Sequence, residues 1–255
     1  MEIPVRQVTD DEVAFFEEHG WVRLGRLVDP GAARALRERA GVYLSDRAKD
    51  KRTLVDQAFG QSRDVASCDE MFGALTMSPT MGRNAVRLLH GVRAVRVQVT
   101  NLLVKEAGEH GATEFHQDFP WMPMDRLAML TVWLALVDVP ADMGSLRFYD
   151  GSHRQGLLGR SFTRPGDDQL SQHPWLKALE VSPPLDLEAG DATVHHALTV
   201  HGAPANRHDR PRLSFTATYF DADALYTGLP YKQTDGLGLR VNRPFEHERF
   251  PCLKP

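Results

Sequence analysis

From residue 94 onward the chain consists of strand-length runs rich in branched and aromatic residues, separated by clusters of Gly, Pro, Asp and Asn. The clearest runs are AVRVQVTNLLVKEAG, LAMLTVWLALVDV, GSLRFYDGSH, DATVHHALTVHGAP and RLSFTATYFDA. The second run is almost entirely apolar, which is typical of a strand that is covered on both faces. Runs of this length between turn residues predict a sandwich or barrel of β-strands.

The chain before these runs has helical signals instead. Thr9 and Glu12 form a capping box, and an apolar face follows it. Asp29 and Pro30 are a second helix start, with Asp as N-cap and Pro at the first helical position. A third helix is predicted over residues 79–90, and the intervening WVRLGRLV reads as a short strand.

The order of helices followed by strands favours helices packed outside a jelly-roll sheet, so the fold class is mainly β with flanking helices. A jelly roll has an open mouth between its two sheets, which is a common place for a ligand. Polar segments 46–70 and 155–180 are predicted loops that, with the tail, set specificity. We expect a single domain over 1–255, in which a helical region covers residues 1–92, a jelly-roll core 93–222 and a tail 223–255.

Composition narrows the possible partners. The formal net charge of −4 gives no reason to expect a nucleic-acid backbone as partner. The two cysteines, Cys68 and Cys252, lie far apart, which argues against a disulfide scaffold and fits a reduced compartment. The first residues lack a secretory signal, and no apolar run approaches a membrane span. We therefore expect a cytoplasmic monomer or homodimer that acts on a small molecule.

The central chemical signal is His116-Gln117-Asp118, followed 85 residues later by His201. Residues two apart in a strand point to the same face, so His116 and Asp118 could bind one metal while Gln117 faces away. With a third ligand from another strand, two histidines and a carboxylate make a facial triad. Such a triad leaves positions open, and iron(II) uses them for a bidentate 2-oxo acid and for dioxygen.

Arg212 lies 11 residues after His201, at the start of the next predicted strand. The far carboxylate of 2-oxoglutarate needs a cation inside the barrel, and a guanidinium can bind it with two parallel hydrogen bonds. Ser214 faces the same side and could add a hydroxyl donor.

Three blocks of sequence together resemble the phytanoyl-CoA dioxygenase family over most of residues 95–220. The blocks are EFHQDFPWM, TVWLALVDVPADMGSLRFYDGSHR and GDATVHHALTVHGAPANRHDRPRLSFTATYF. The resemblance implies a double-stranded β-helix that uses iron(II), 2-oxoglutarate and dioxygen. It also implies that His116, Asp118 and His201 are the metal ligands and that Arg212 pairs with the C5 carboxylate of 2-oxoglutarate.

The resemblance extends to residues around the cosubstrate. Trp133 matches an aromatic residue that packs beside it in some family members, and Thr131 shares the strand face of Trp133. Gln98, Asn101 and Lys105 lie on the strand that often supplies further polar contacts.

The resemblance is incomplete at one position and silent about the substrate. Ala203 departs from the small hydroxyl residue often seen two places after the distal histidine, so one cosubstrate hydrogen bond is not expected. Phe119, Trp121 and Met122 directly follow the HxD motif and are candidates for the substrate pocket, although plain core packing explains them equally well.

Two histidines upstream of His201 are expected to be structural. His196 would face the other side of a regular strand. His195 would share the face of His201, but about 20 Å away at ~3.3 Å per residue. His153 is expected to make hydrogen bonds in a turn rather than bind metal.

The function predicted from these features is hydroxylation of an unactivated C–H bond of a small molecule, with release of succinate and carbon dioxide. The substrate would be a specialised-metabolite intermediate or a small acid. Two alternatives remain open at this point. A zinc hydrolase could use the same triad, but it needs a nearby carboxylate base and has no use for Arg212. A non-catalytic jelly-roll binding protein is the other.

Overall fold

The computed structural model describes residues 3–45, 58–160 and 169–254. Within these ranges the chain forms two antiparallel sheets with helices outside them, so the predicted mainly β class with flanking helices is confirmed. The strands are β1 (Trp21–Leu24), β2 (Gly60–Arg63), β3 (Val95–Lys105), β4 (Thr113–His116), β5 (Met129–Ala135), β6 (Arg147–Phe148), β7 (Ala192–His196), β8 (His201–Ala203), β9 (Arg212–Asp221) and β10 (Cys252–Leu253).

The larger sheet has seven strands in the order β1-β7-β5-β9-β3-β10, and β2 also pairs with β3. The smaller sheet has three strands in the order β4-β8-β6. One core cluster joins the sheets, because Leu103 and Trp133 of the larger sheet belong to the same cluster as Phe148 and Ala203 of the smaller one. The two sheets therefore curl around a shared interior.

The central strand β5 is buried along its whole length, as its apolar sequence predicted. Its side chains alternate between two environments. Val132 and Leu134 pack into the cluster that contains Phe72 and other helical residues. Thr131 and Trp133 point the other way, into the interior between the sheets.

Helices cover the outer face of the larger sheet. The capping box at Thr9 is confirmed, and the helix ends at Gly20, which takes the left-handed φ of 79°. Within the described ranges, no helix is both long and apolar enough to cross a membrane. The α-helices are α1 (Asp10–His19), α2 (Pro30–Ser45), α3 (Val65–Cys68), α4 (Glu70–Thr76), α5 (Pro79–Leu88) and α6 (Gln169–Gln172).

The predicted loop over 46–70 is wrong where it can be compared. Residues 46–57 lie outside the described ranges, but the remainder contains β2, α3 and the start of α4. The sequence GQSR of β2 is polar and lacks apolar alternation, so only its pairing with β3 makes it a strand. Asp69 starts α4 by accepting hydrogen bonds from two backbone amides of that helix.

The other predicted loops are partly ordered. Residues 161–168 of the segment 155–180 lie outside the described ranges, and α6 and a 3₁₀ helix, Pro174–Ala178, occupy part of the rest. The tail is mostly irregular, but β10 returns to pair with the start of β3.

Candidate active site

The structure brings His116, Asp118 and His201 together where β4 and β8 meet. His116 ends β4, His201 begins β8, and the two are partners in the register of the smaller sheet. The ligand atoms of all three side chains lie within 4.8 Å of one another. Asp118 Oδ1 is 3.6 Å from His116 Nε2 and 3.8 Å from His201 Nε2. This spacing suits a single ion bound between three ligands.

The reason that His116 and Asp118 converge differs from the one that strand alternation suggested. The strand ends at His116, and Asp118 has a helical φ of −75° and ψ of −35° ahead of the 3₁₀ helix Phe119–Trp121. The carboxylate is therefore directed back toward His116 by a turn and not by the pleat of a strand.

Backbone carbonyls fix the tautomers of both triad histidines. His116 Nδ1 donates to the carbonyl of Glu114 at 2.8 Å, and His201 Nδ1 donates to the carbonyl of Thr199 at 2.9 Å. Because each Nδ1 carries the hydrogen, each Nε2 presents a lone pair to the centre, as metal ligation requires.

The charges of the triad also suit a cation. Burial, together with His195 and His116, holds the pKa of His201 well below its usual value, so its imidazole is neutral. Burial opposes ionisation of Asp118, but His201, His116 and His195 together hold the pKa of its carboxyl well below the usual range. Two imidazoles and one carboxylate are the donor set of a facial triad.

His195 belongs to this site, contrary to the expectation that it lies about 20 Å from His201 on a regular strand. Its Nε2 is 3.2 Å from Asp118 Oδ2, and its ring centroid is 4.0 Å from that of His201. The chain leaves the larger sheet after His196 and turns into the smaller sheet before His201, so the two residues are not on one strand. The turn sequence ALTV contains no Gly, Pro, Asn or Asp, which is why the sequence did not reveal it.

Arg212 lies deep between the sheets and is only 1% exposed. It donates to the carbonyl of Gly144, and its guanidinium carbon lies 5.2 Å from the centroid of the Trp133 ring. Among the described residues, its Nε has no hydrogen-bond partner. Burial alone lowers its pKa to about 10, and the arginine remains a cation.

A second cation lies beside Arg212. Lys105 is its register partner on β3 and is fully buried. Its Nζ donates to the carbonyl of Gly111 at 2.6 Å and to the hydroxyl of Thr113 at 3.3 Å. Burial and the charge of Arg212 lower its pKa to about 7. Ser214, the next residue on the same face of β9, is also buried, and its hydroxyl has no partner within the described ranges.

Gly144 is the point around which these two cations pack. Its φ is +81°, and a Cβ added there would lie 2.7 Å from the carbonyl oxygen of Pro204 and 3.3 Å from the Lys105 side chain. A glycine is therefore needed at this position for the close approach of Arg212 and Lys105.

A cavity of about 710 Å³ connects the triad to Arg212. Most of the predicted site residues line it, namely Gln98, Asn101, Trp121, Met122, Thr131, Trp133 and Arg212 with the triad. Lys105 and Ser214 lie behind its wall. Phe119 is an exception among the substrate-pocket candidates, because it packs into a separate core cluster with Met124 and Phe245.

Two segments that the sequence connected with specificity, 46–70 and the tail, also contribute to the cavity wall, through residues that the sequence did not single out. The tail contributes Tyr231, and Gln98 Nε2 donates to the Tyr231 hydroxyl at 3.0 Å. Strand β2 contributes Gln61, whose amide donates to Asn101 at 3.1 Å. Both segments are polar and irregular in sequence, so only their packing onto β3 brings them to the site.

The fold and the triad together define the class of non-haem iron, 2-oxoglutarate-dependent oxygenases. The chain belongs to the phytanoyl-CoA dioxygenase (PhyH) family, whose model matches residues 16–214. This membership supports an oxygenase over the zinc hydrolase and the binding module that the residue pattern alone left open.

Three similar proteins illustrate the relationship. Phytanoyl-CoA dioxygenase 1 of Oryza sativa subsp. japonica is 24% identical over 249 residues, with 80% of this chain and 88% of the rice protein covered. The non-haem alpha-ketoglutarate-dependent carbocyclase SnoK from nogalamycin biosynthesis is 26% identical, has a TM-score of 0.85 and covers 98% of this chain and 100% of its own. The epimerase SnoN, solved with Fe3+, alpha-ketoglutarate and nogalamycin RO, is 29% identical, with a TM-score of 0.79 and coverage of 96% and 98%.

Proposed function

We propose that the protein is an iron(II)- and 2-oxoglutarate-dependent oxygenase that oxidises a C–H bond of a specialised-metabolite intermediate. The observation that carries this proposal is the pairing, across one cavity, of a metal-ligand triad with a fully buried arginine. A buried guanidinium is unfavourable unless an anion accompanies it. A dicarboxylate that reaches from the triad to Arg212 satisfies both ends of the cavity.

His116, Asp118 and His201 would hold the iron. Their donor set and mutual spacing fit it, because two imidazole nitrogens and one carboxylate oxygen on one side leave the cavity side free for other ligands. When bound, iron(II) with 2-oxoglutarate and dioxygen supplies the oxidising power that cleaves an unactivated C–H bond, with succinate and carbon dioxide as coproducts.

Arg212 would bind the C5 carboxylate of 2-oxoglutarate. Lys105 adds positive charge behind it, and Ser214 offers a hydroxyl on the same strand face. Trp133 lies close enough to Arg212 to form the side wall of this subsite. Thr131 serves the metal end, because its hydroxyl donates to Asp118 Oδ2 at 3.0 Å.

The remainder of the cavity would take the substrate. Gln98, Asn101 and Tyr231 provide amide and phenol groups on one side, and Trp121 and Met122 provide apolar surface on the other. The volume of about 710 Å³ is within the usual range for drug-sized ligands. SnoK is from nogalamycin biosynthesis and SnoN was solved with nogalamycin RO, which supports a specialised-metabolite intermediate over a small acid.

We propose further that the helical region, the jelly-roll core and the tail act as one catalytic domain. Strand β1 from the helical region pairs with β7, and Tyr231 from the tail lines the cavity. Removal of either segment would open the site to water.

The reaction class can be tested with purified protein under anaerobic conditions. Addition of iron(II) and then 2-oxoglutarate should produce a weak visible charge-transfer band, which zinc cannot produce. With oxygen and a substrate, succinate should appear by mass spectrometry. The double variant His116→Ala/Asp118→Ala should show neither, and unchanged succinate formation by that variant would refute the assignment of the triad.

The substrate class can be tested by comparing succinate release with three probes at equal concentration. Nogalamycin-related intermediates should stimulate release, whereas phytanoyl-CoA and a small amino acid should not. Stimulation by the acyl-CoA alone would replace the proposed metabolite with a thioester as substrate and would leave the reaction class intact.

A further inference from the structure

We propose that His195 is a positioning residue that, together with Thr131, holds Asp118 so that its carboxylate presents a single oxygen to the metal. This inference rests on the proposed function, since it concerns how the ligand Asp118 is held. The sequence predicted only a structural role for His195.

The two oxygens of Asp118 have different surroundings. Oδ1 faces the Nε2 atoms of His116 and His201 at 3.6 and 3.8 Å, distances that leave room for an ion. Oδ2 instead accepts hydrogen bonds from the Thr131 hydroxyl at 3.0 Å and from His195 Nε2 at 3.2 Å. With Oδ2 engaged by two donors, Oδ1 is the oxygen available for ligation.

His195 is held firmly enough to act in this way. It is 2% exposed and lies in the interior of the larger sheet, with Trp21 and Thr131 as its register partners on either side. Its ring packs against Phe148, with centroids 5.7 Å apart. The sheet pairing fixes its backbone, and burial and the ring contact restrict movement of its side chain away from Asp118.

The tautomer of His195 follows from its contacts. A carboxylate oxygen only accepts hydrogen bonds, so Nε2 must carry the hydrogen that points to Asp118. Within the described ranges, Nδ1 has no hydrogen-bond partner. The tautomer of His195 is thus opposite to that of His116 and His201, which carry their hydrogens on Nδ1.

A monodentate Asp118 matters because the chemistry needs open positions on the metal. A carboxylate that is free to rotate could bind the metal through both oxygens, and the second oxygen would then occupy one of these open positions. Loss of a hydrogen-bond partner to a ligand typically costs about 10–100-fold in metal affinity or activity. His195→Phe keeps a ring of similar shape and removes the donor, so it isolates this contribution.

The test measures Mn(II) affinity without cosubstrate or turnover, from the electron paramagnetic resonance signal of free Mn(II). His195→Phe should weaken binding about 10–100-fold, and His195→Gln, which restores an N–H donor, should recover part of the loss. The matched control is Thr193→Val, which removes a buried hydroxyl without a partner in the described ranges, two residues away on the same strand face. This control should bind Mn(II) like the wild type.

Two further measurements distinguish a positioning role of His195 from a general effect on stability. The second uses only wild-type protein, so it remains informative if a variant does not fold. The melting temperature of metal-free His195→Phe should stay close to that of Thr193→Val, because the ring still fills its site. In wild-type protein loaded with Zn(II), long-range proton–nitrogen NMR spectra should show His195 as the Nε2–H tautomer and His116 and His201 as Nδ1–H tautomers.

The outcomes distinguish this inference from the proposed function. Wild-type protein that fails to bind Mn(II) would refute the metal site and, with it, the proposed function. Wild-type protein that binds Mn(II), with His195→Phe binding equally well, would refute only the role of His195. An Nδ1–H tautomer at His195 would refute it as well, whether or not the variants fold.

Discussion

The two ends of the cavity are built in opposite ways. At the metal end, His116 and Asp118 are partly exposed, with side-chain exposures of 15% and 27%, and their hydrogen bonds are satisfied before any ion binds. At the inner end, Arg212 and Lys105 are fully buried cations without a carboxylate partner among the described residues. The metal end is preorganised and the inner end is electrostatically incomplete, so the two ends should respond differently to mutation.

The largest expected effect is at the metal end. His116→Ala or Asp118→Ala should abolish metal binding and turnover, because two ligands cannot hold the ion in this geometry. The folding stability of the metal-free protein should change little, because both side chains are partly exposed. Isothermal titration with Mn(II) measures metal binding, and thermal unfolding measures the stability of the metal-free protein. His208→Ala, which changes a partly exposed histidine, is the control for both measurements. A large loss of stability in the metal-free variants would contradict the proposed difference between the two ends of the cavity.

Arg212→Met should produce the opposite combination. The affinity for 2-oxoglutarate should fall about a hundredfold, since hydrogen bonds to charged groups contribute up to about 3 kcal/mol. The free energy of unfolding without cosubstrate should stay equal or rise, because a buried charge without a counter-ion is replaced by an apolar side chain of similar length. Titration of 2-oxoglutarate into the Mn(II) protein and urea unfolding measure both. Unchanged cosubstrate affinity would remove Arg212 from the proposed subsite.

Lys105 should make the affinity for 2-oxoglutarate depend on pH, with an effect smaller than that of Arg212→Met. Its pKa of about 7 in the folded protein means that the positive charge is lost as pH rises through 7. The affinity for the 2-oxoglutarate dianion should therefore fall by up to about tenfold between pH 6 and 8. Lys105→Met should bind 2-oxoglutarate more weakly than the wild type, and its affinity should not change with pH in this range. Lys105→Arg should stay charged, so its affinity for 2-oxoglutarate should not fall over this range. If the affinity of the wild type did not change with pH over the same range, Lys105 would not act on the cosubstrate.

The same pKa has a consequence for stability, with the sign set by linkage. The unfolded chain keeps the lysine proton up to the ordinary lysine pKa of 10.5, whereas the folded protein releases it near 7. Between these values the unfolded state binds more protons, so this lysine makes the free energy of unfolding rise with pH. The difference between wild type and Lys105→Met, measured by urea unfolding at pH 7 and pH 9, should show this rise.

The smallest expected effect is at the mouth of the cavity. Tyr231→Phe removes one hydrogen bond to Gln98 and leaves both ends of the site intact. Loss of a neutral hydrogen bond of about 1 kcal/mol corresponds to a few-fold change in the KM for the organic substrate. The affinities for Mn(II) and 2-oxoglutarate should not change. A change in either would mean that the mouth and the ends are coupled.

Local patterns in the sequence predicted much of the fold. The capping box at Thr9, the start at Asp29-Pro30 and the buried run of β5 were all readable, because caps and side-chain periodicity depend on residues close together in the chain. The polar strand β2 was not predicted, because its pairing with β3 and not a local preference makes it a strand.

The candidate site divides in the same way. The sequence by itself determined the residue types of a facial triad and, after it, an arginine at the start of a strand. Only the tertiary structure placed His195 against Asp118 and Lys105 against Arg212. His195 reaches Asp118 because a short turn moves the chain from one sheet to the other. Lys105 reaches Arg212 because the register of β3 and β9 aligns residues more than a hundred positions apart. Neither the turn nor the register is encoded in a local pattern of the sequence.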